Sequence, residues 1–217
     1  MDTIKPIFWS SVYGKVVHYL RSKPFVNIIS EPRTGSTALY ESLRRDQTVD
    51  LDEIMNKNNF NDTMQWINKN TDECRVMKNH SYEVSELSKP QQEIFFNIKA
   101  FHVGLLRRNF FEQTCSVARA ELTNNYHAPT NKKVYIDPDF YTNLFWRMYS
   151  GKTDMFTLWD QLDMILYYED IDFSKSQKRR KWPDKKDTIE NFNELKKIYA
   201  HLIKRVSVFH DLAFLDK

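Results

Sequence analysis

An apolar run that leads into a short turn and a hydroxyl-rich segment constrains the fold of this chain most. The stretch reads "IISEPRTGSTALYESL" and covers residues 28–43. The run over 24–30 is typical of a buried strand, and the leucine spacing after the turn predicts a helix over 36–45. Gly35, one of only four glycines in the chain, lies in the turn between them. Any fold for this chain must therefore accommodate a strand, a tight turn and a helix in that order.

The same alternation of strands and helices continues along the chain. Predicted helices also cover 7–21, 61–70, 110–122, 137–150 and 188–209, and predicted strands also cover 74–78, 99–107 and 162–168. Alternation of this kind is typical of a mostly parallel sheet with helices on both faces. We find no repeat, linker or clear boundary, so the sequence predicts a single three-layer α/β domain over 1–217.

Composition narrows the class of protein. The mean hydropathy is -0.64, no apolar run approaches the ~20 residues that span a membrane, and the start of the chain lacks a signal-peptide pattern. We therefore expect a soluble cytoplasmic protein without a membrane anchor, in a bacterium or, for a viral protein, in the host cell. Cys74 and Cys115 are expected to be reduced, and no Cys/His spacing predicts a metal site. A net charge of +3 is too small to imply a nucleic-acid partner.

The turn has the features of an anion-binding loop. Backbone N–H groups at a helix start lack intrahelical partners, and the helix dipole places partial positive charge there. Gly35 permits close backbone approach, Ser36 and Thr37 add hydroxyl groups, and Arg33 adds a fixed charge. The alternative is a simple turn with Ser36 as the helix N-cap. The lysine of the G-x-x-x-x-G-K-[ST] loop of nucleotide-hydrolysing proteins is absent, which disfavours a nucleotide kinase without excluding one.

A second candidate anion site lies in "LLRRNFFEQTCSVARAEL", residues 105–122. Arg108 follows a predicted strand, and Ser116 lies eight residues later, about two turns into the next helix. An arginine that reaches along a helix can meet a serine hydroxyl at one anion. The alternative is a solvated arginine and a serine that bonds to its own helix.

Together the two motifs resemble those of sulfotransferases that use 3′-phosphoadenosine 5′-phosphosulfate (PAPS). "PRTGST" is similar to the 5′-phosphosulfate loop of that family, and "RRNFFEQTCS" to its 3′-phosphate motif, although Phe110 replaces a common proline. "LDEIMN", "RAELTNNYH", "YYEDI" and "IENFNEL" also resemble family segments, so the match runs from about residue 25 to 200. The resemblance implies a P-loop-NTPase-like sulfotransferase fold, and PAPS as a co-substrate with no metal.

The resemblance also implies roles for individual residues. The 5′-phosphosulfate loop would comprise Arg33, Thr34, Gly35, Ser36, Thr37 and Ala38, with Arg33 near the bridging oxygen. Arg108 and Ser116 would bind the 3′-phosphate. Lys78 matches a lysine that contacts the sulfuryl group; its alternative is a surface lysine. The basic run over 175–186 would act as a lid through Arg179, Arg180 and Lys181, or is simply a solvated loop.

Two residues compete for the role of general base. Glu53 lies 20 residues after Arg33, where the bacterial-type members carry a catalytic glutamate. His80 lies two residues after Lys78, as in the Lys-x-His motif of the cytosolic enzymes. Histidine has the more convenient unperturbed pKa, ~6.5 against ~4.3 for glutamate. The loop and "LDEIMN" match the branch that uses glutamate, so Glu53 is favoured and His80 stays open.

Two other functions remain open from the sequence. A nucleotide or nucleoside kinase uses a similar anion loop, and a non-catalytic nucleotide- or RNA-binding protein would use the basic run. The acceptor of a sulfotransferase is a small molecule, carbohydrate or peptide that the sequence does not specify. It does not indicate an oligomeric state either.

Overall fold

The fold is built on a parallel sheet. The computed structural model describes residues 7–9, 13–44, 50–52, 60–126, 131–171 and 184–207. Its five strands are β1 (Ile7–Trp9), β2 (Val26–Ser30), β3 (Val76–His80), β4 (Phe101–Leu106) and β5 (Met164–Tyr167). They lie in the order β1-β5-β4-β2-β3, and every pairing is parallel.

Nine α-helices lie among the described residues. They are α1 (Tyr13–Arg21), α2 (Ser36–Arg44), α3 (Phe60–Lys69), α4 (Ser81–Ser85), α5 (Lys89–Phe96), α6 (Phe110–Thr123), α7 (Pro138–Thr157), α8 (Lys185–Thr188) and α9 (Phe192–Ser207). Helix α9 has one apolar face, because its buried side chains recur at helical spacing at Leu195, Tyr199, Leu202 and Val206.

The sheet of the first unit is covered on both faces. Side chains alternate along a strand, so neighbouring residues of β2 enter different cores. Ile28 packs with Leu20 of α1 and Leu39 of α2, whereas Ile29 packs with Ile67 of α3 and with residues of α5 and α7. This arrangement confirms the predicted three-layer α/β class.

The chain divides into two compact units. The first comprises 1–106 and 151–179 and contains the whole sheet. The second comprises 107–150 and 180–217, and its core is rich in aromatic rings, including Phe110, Phe145 and Tyr199. The single domain over 1–217 stays a prediction.

The sequence-based elements differ from the structure in several places. The predicted helix over 7–21 is wrong at its start, because Ile7–Trp9 form β1 beside β5. The short helices α4, α5 and α8 were not predicted, and α9 begins at Phe192, four residues after the predicted start. Helix α7 ends at Thr157, seven residues beyond the predicted end.

No helix in the described ranges has the length and apolar character needed to cross a membrane.

Candidate functional site

The candidate anion loop lies where the strand order changes direction. From β2 the chain moves outward to β3, and it then returns to the other side of β2 to form β4. Ligands of open parallel sheets bind at the carboxyl ends of the strands at such a point. The loop of residues 31–35 leaves the carboxyl end of β2 there and leads into α2.

The backbone of this loop is tightly wound. Arg33 has φ 63° and Gly35 has φ 80°, both in the left-handed region. That region is easy for glycine and unfavourable for arginine, so surrounding contacts must hold Arg33 there. The Gly35 carbonyl accepts from the Leu39 N–H at 3.2 Å, so Gly35 occupies the N-cap position. The alternative in which Ser36 is the N-cap is wrong, because Ser36 is the first residue of α2.

The backbone N–H groups at the start of α2 have no acceptor within the helix. They belong to Ser36, Thr37 and Ala38, which form its first turn, and the carbonyls four residues before them lie outside the helix. With the positive end of the helix dipole, they form the type of donor set that binds phosphate or sulfate oxygens. The structure thus brings the predicted loop residues together at one helix start.

The hydroxyl groups of the loop have different local roles. Thr34 is fully buried and donates through Oγ1 to the Glu31 carbonyl at 2.8 Å. It closes the turn from within, so we expect only its backbone to face an anion. Ser36 is buried and Thr37 is exposed. Thr37 is therefore the hydroxyl of this loop that lies open to solvent.

A buried ion pair lies behind the loop. The Lys152 Nζ of α7 lies 3.5 Å from Oε2 of Glu31, and both side chains are at least 95% buried. Leaving either charge alone in the interior would be costly, so the pair fixes the residue that begins the turn. Neither residue stood out in the sequence, because the two are distant in the chain.

Lys78 is a buried cation that contacts the first turn of α2. It lies in β3 with only 2% of its side chain exposed, and Nζ donates to Oγ1 of Thr37 at 3.2 Å. The same Nζ forms an ion pair with Asp52 at 2.7 Å. The surface-lysine alternative is therefore wrong. The strand continues two residues past Lys78, to His80.

His80 lies at the carboxyl end of β3. Its Nδ1 lies 3.3 Å from the Ser30 carbonyl, and its ring stacks on Tyr82 with centroids 5.5 Å apart. These two contacts hold the ring in place at the end of the strand.

Several predicted site residues lie outside the described residues. These are Glu53, Arg179, Arg180 and Lys181. The structure therefore does not compare Glu53 with His80. Asp52, the residue before Glu53, is among the described residues, and its carboxylate contacts Lys78.

The second predicted anion pair belongs to the second unit. Arg108 lies two residues after the end of β4 and is half-buried, whereas Ser116 is buried in α6. The neighbouring Arg107 forms an ion pair with Glu112 at 3.0 Å. Arg107 therefore has a local structural role.

Asp52 is the main site residue that the sequence prediction missed. Its Lys78 partner lies 26 residues away in the chain, and the contact arises because residues 50–52 run beside β3. The only sequence signal was its place in "LDEIMN", where the family resemblance drew attention to Glu53 instead.

Comparison of this chain with protein-family models finds no match, and comparison with curated proteins also finds none. The fold and the loop define an α/β protein with a candidate anion site at the carboxyl edge of its sheet.

Proposed function

We propose that this chain is a PAPS-dependent sulfotransferase that acts on a hydroxyl or amine group. The observation that carries the proposal is the contact between the buried Lys78 ammonium and the Thr37 hydroxyl in the first turn of α2. It joins a cation to backbone donors at the edge where ligands of parallel sheets bind. The motif resemblance, including the P-loop-NTPase-like fold, supplies the identity of the donor.

The reaction is an in-line displacement at sulfur. An acceptor oxygen forms a bond to sulfur while the bond from sulfur to the bridging phosphate oxygen breaks. The products are a sulfate ester, 3′-phosphoadenosine 5′-phosphate (PAP) and a proton. Since little covalent chemistry falls to the protein, positioning and electrostatic stabilisation provide most of the rate enhancement.

The loop residues have assigned roles in this proposal. The N–H groups at the start of α2 bind the 5′-phosphosulfate oxygens. Arg33 stabilises the negative charge that grows on the bridging oxygen, and Lys78 contacts the sulfuryl oxygens. Arg108 and Ser116 bind the 3′-phosphate. The base that receives the acceptor proton is Glu53 or His80, and His80 lies at the carboxyl end of β3.

A kinase is the second candidate. Lys78 also has the charge that phosphate oxygens need, so the geometry of the first unit alone suits either donor. The absence of the P-loop lysine after Gly35 and the pair of Arg108 with Ser116 favour PAPS. ATP chemistry relies on magnesium, whereas transfer from PAPS has no such requirement in principle.

An untargeted product search tests the proposal. Purified protein is incubated with PAPS radiolabelled in the sulfuryl group and with fractionated extracts of small molecules, carbohydrates and peptides. The proposal predicts labelled products that carry sulfate esters or sulfamates and require folded protein. Labelled phosphorylated products from ATP and magnesium, with none from PAPS, would support the kinase instead.

A further inference from the structure

The buried ammonium of Lys78 already has an anionic partner. Nζ lies 2.7 Å from Asp52, whose side chain is 27% exposed against 2% for Lys78. A buried ammonium without a counter-ion is costly, so this carboxylate offsets the cost of burying the Lys78 charge. Asp52 lies on the more solvent-accessible side of the pair. An anion that arrives from solvent would therefore meet Asp52 and Lys78 together.

The segment that carries Asp52 is fixed by contacts on two sides. The Lys78 backbone N–H donates to the Leu51 carbonyl at 2.9 Å, and the Leu51 N–H donates to the Tyr40 hydroxyl at 2.8 Å. The Tyr40 hydroxyl in turn donates to Asp50 at 3.1 Å. Burial raises the pKa of Tyr40, so it remains a neutral phenol that can both accept and donate. Residues 50–52 are thus held between α2 and β3.

Two anions would compete for one ammonium at this position. An ammonium group has three donors, and the Lys78 contacts to Asp52 and Thr37 direct it toward the start of α2. An anionic group that extends beyond the backbone donors of α2 and reaches Lys78 would interact favourably with Lys78 and unfavourably with Asp52. Because electrostatic energies between close, partly buried charges are large, the balance between the two anions matters for affinity.

We propose that Asp52 is the resting counter-ion of Lys78 and is exchanged for the outer anionic group of the donor when it binds. The inference rests on the proposed function, in which that group is the sulfuryl group of PAPS. Asp52 therefore acts as a specificity-determining residue through Lys78. It lowers the affinity for any ligand whose anion reaches Lys78. It has little effect on the affinity for PAP, because PAP lacks the sulfuryl group.

The exchange also gives a physical route to product release. Transfer removes the sulfuryl group from the donor, and Lys78 regains Asp52 as its partner. The product then loses a contact that the substrate had. A protein with this exchange binds PAPS less tightly than it would without Asp52, while PAP leaves at nearly the same rate in either case.

Calorimetry on four forms of the full chain tests the exchange. The forms are wild type, Asp52→Asn, Lys78→Met and the double variant. PAPS, PAP and inorganic pyrophosphate are the probes, and pyrophosphate presents two linked anionic groups without a nucleoside. We expect Asp52→Asn to tighten PAPS and pyrophosphate binding roughly tenfold, the effect of one partly buried charge, and PAP binding by less than about twofold. In the Lys78→Met background only the direct repulsion by Asp52 remains, so Asp52→Asn should tighten PAPS and PAP binding by similar factors.

Asp50→Asn is the matched control for the loss of charge. Asp50 lies two residues away on the same segment, and its Oδ1 accepts from the Tyr40 hydroxyl and from the Asp52 N–H, two bonds that the Oδ1 of an asparagine can also accept. An equal gain in PAPS affinity in Asp50→Asn would mean that net charge alone is responsible, and this would overturn the exchange. Unchanged or weaker pyrophosphate and PAPS binding in Asp52→Asn would also overturn it.

The stability of Asp52→Asn provides a second readout. Removing Asp52 leaves the buried ammonium without this counter-ion, so we expect a lower Tm that pyrophosphate restores more than sodium chloride of equal ionic strength does. The double variant should show no such restoration. If the double variant responds to pyrophosphate as strongly as Asp52→Asn, Lys78 does not mediate the effect and the exchange is wrong.

The probes separate this inference from the proposed function. Wild-type binding of PAPS and PAP with no gain in Asp52→Asn refutes the exchange and leaves the sulfotransferase proposal standing. A gain with pyrophosphate, with no binding of PAPS or PAP, supports the exchange and refutes the donor assignment. Failure of every form to bind every probe refutes both.

Discussion

The Nζ of Lys78 and the Oγ1 of Thr37 lie 3.2 Å apart. This contact joins the middle of β3 to the first turn of α2. In the proposed reaction this contact places a positive charge where the sulfuryl group would lie. We predict that Lys78→Met lowers turnover about 10²–10³-fold, the scale for loss of one transition-state donor. PAP affinity should stay within about twofold, because PAP lacks the sulfuryl group.

The control for Lys78→Met is Lys69→Met. Lys69 is exposed at the end of α3, so this change removes the same charge from the surface. Steady-state rates with PAPS and an identified acceptor provide the measurement. Equal loss of activity in both variants, or equal loss of PAP affinity and turnover in Lys78→Met, would contradict the assigned role.

Arg108→Ala is predicted to weaken PAP binding about tenfold or more, because a charge-assisted hydrogen bond contributes ~1.5–3 kcal/mol. Ser116→Ala should weaken it less. Adenosine 5′-phosphate lacks the 3′-phosphate, so calorimetry should show its affinity nearly unchanged in both variants. Arg107→Ala is the matched variant, since Arg107 already pairs with Glu112. Equal losses for both ligands would make Arg108 structural.

The choice of base is tested by a pair of variants. Glu53→Gln keeps the shape of the side chain but cannot accept the proton, so we predict a loss of roughly 10²–10⁴ in turnover. PAP affinity should remain within about twofold. His80→Asn retains an N–H for the Ser30 carbonyl and should have a milder effect if His80 only orients the acceptor.

The pH profile of turnover provides an independent readout of the base. If Glu53 is the base, the acid limb of the profile disappears in Glu53→Gln and persists in His80→Asn. A nearly normal rate in Glu53→Gln, together with an inactive His80→Asn, would show that the chain uses the Lys-x-His arrangement.

We predict from the surroundings of His102 how the stability of the protein depends on pH. Burial lowers its pKa, against the opposing effect of Asp163. Its Nε2 lies 3.2 Å from the Phe96 carbonyl and its Nδ1 lies 3.0 Å from Nδ2 of Asn27, a pattern that suits the neutral ring. A lowered folded-state pKa adds stability above the unfolded value of ~6.5, and this stability is lost as the pH falls.

Urea denaturation between about pH 7.5 and pH 5.5 measures this effect. We expect the free energy of unfolding of the wild type to fall across that range, with a shallower slope in His102→Gln. The control is His18→Gln, because His18 is exposed on α1. An unchanged slope in His102→Gln would assign the pH dependence to other groups.

The strands that form the site were predictable because each carries a run of buried apolar residues. β1 was missed because three residues give too short a pattern to distinguish from the helix that follows. A signal for α5 was present in the sequence: Ser88 precedes it, and the Gln91 side chain accepts from the Ser88 N–H at 3.1 Å, as in a capping box. Helix α5 has only a weak apolar face, so its hydrophobic spacing did not predict a helix.

The loop of the candidate site was predictable because its chain geometry is local. Gly35, the first turn of α2 and the hydroxyl groups are consecutive in the sequence. The pairs Lys78–Asp52 and Glu31–Lys152 were not predictable, because each joins residues from distant segments. Sequence periodicity indicates which face is buried but does not indicate which charges meet there.

Binding of PAP compared with ATP tests the central claim most directly. Thermal denaturation is followed with no ligand, with PAP, and with ATP plus magnesium, each ligand at the same concentration. If PAP is the true product, a concentration of about one hundred times its Kd should raise the Tm by about 5 °C or more. ATP should raise it much less. Equal stabilisation by the two nucleotides, or none by PAP, would contradict the assignment of this chain as a PAPS-dependent sulfotransferase.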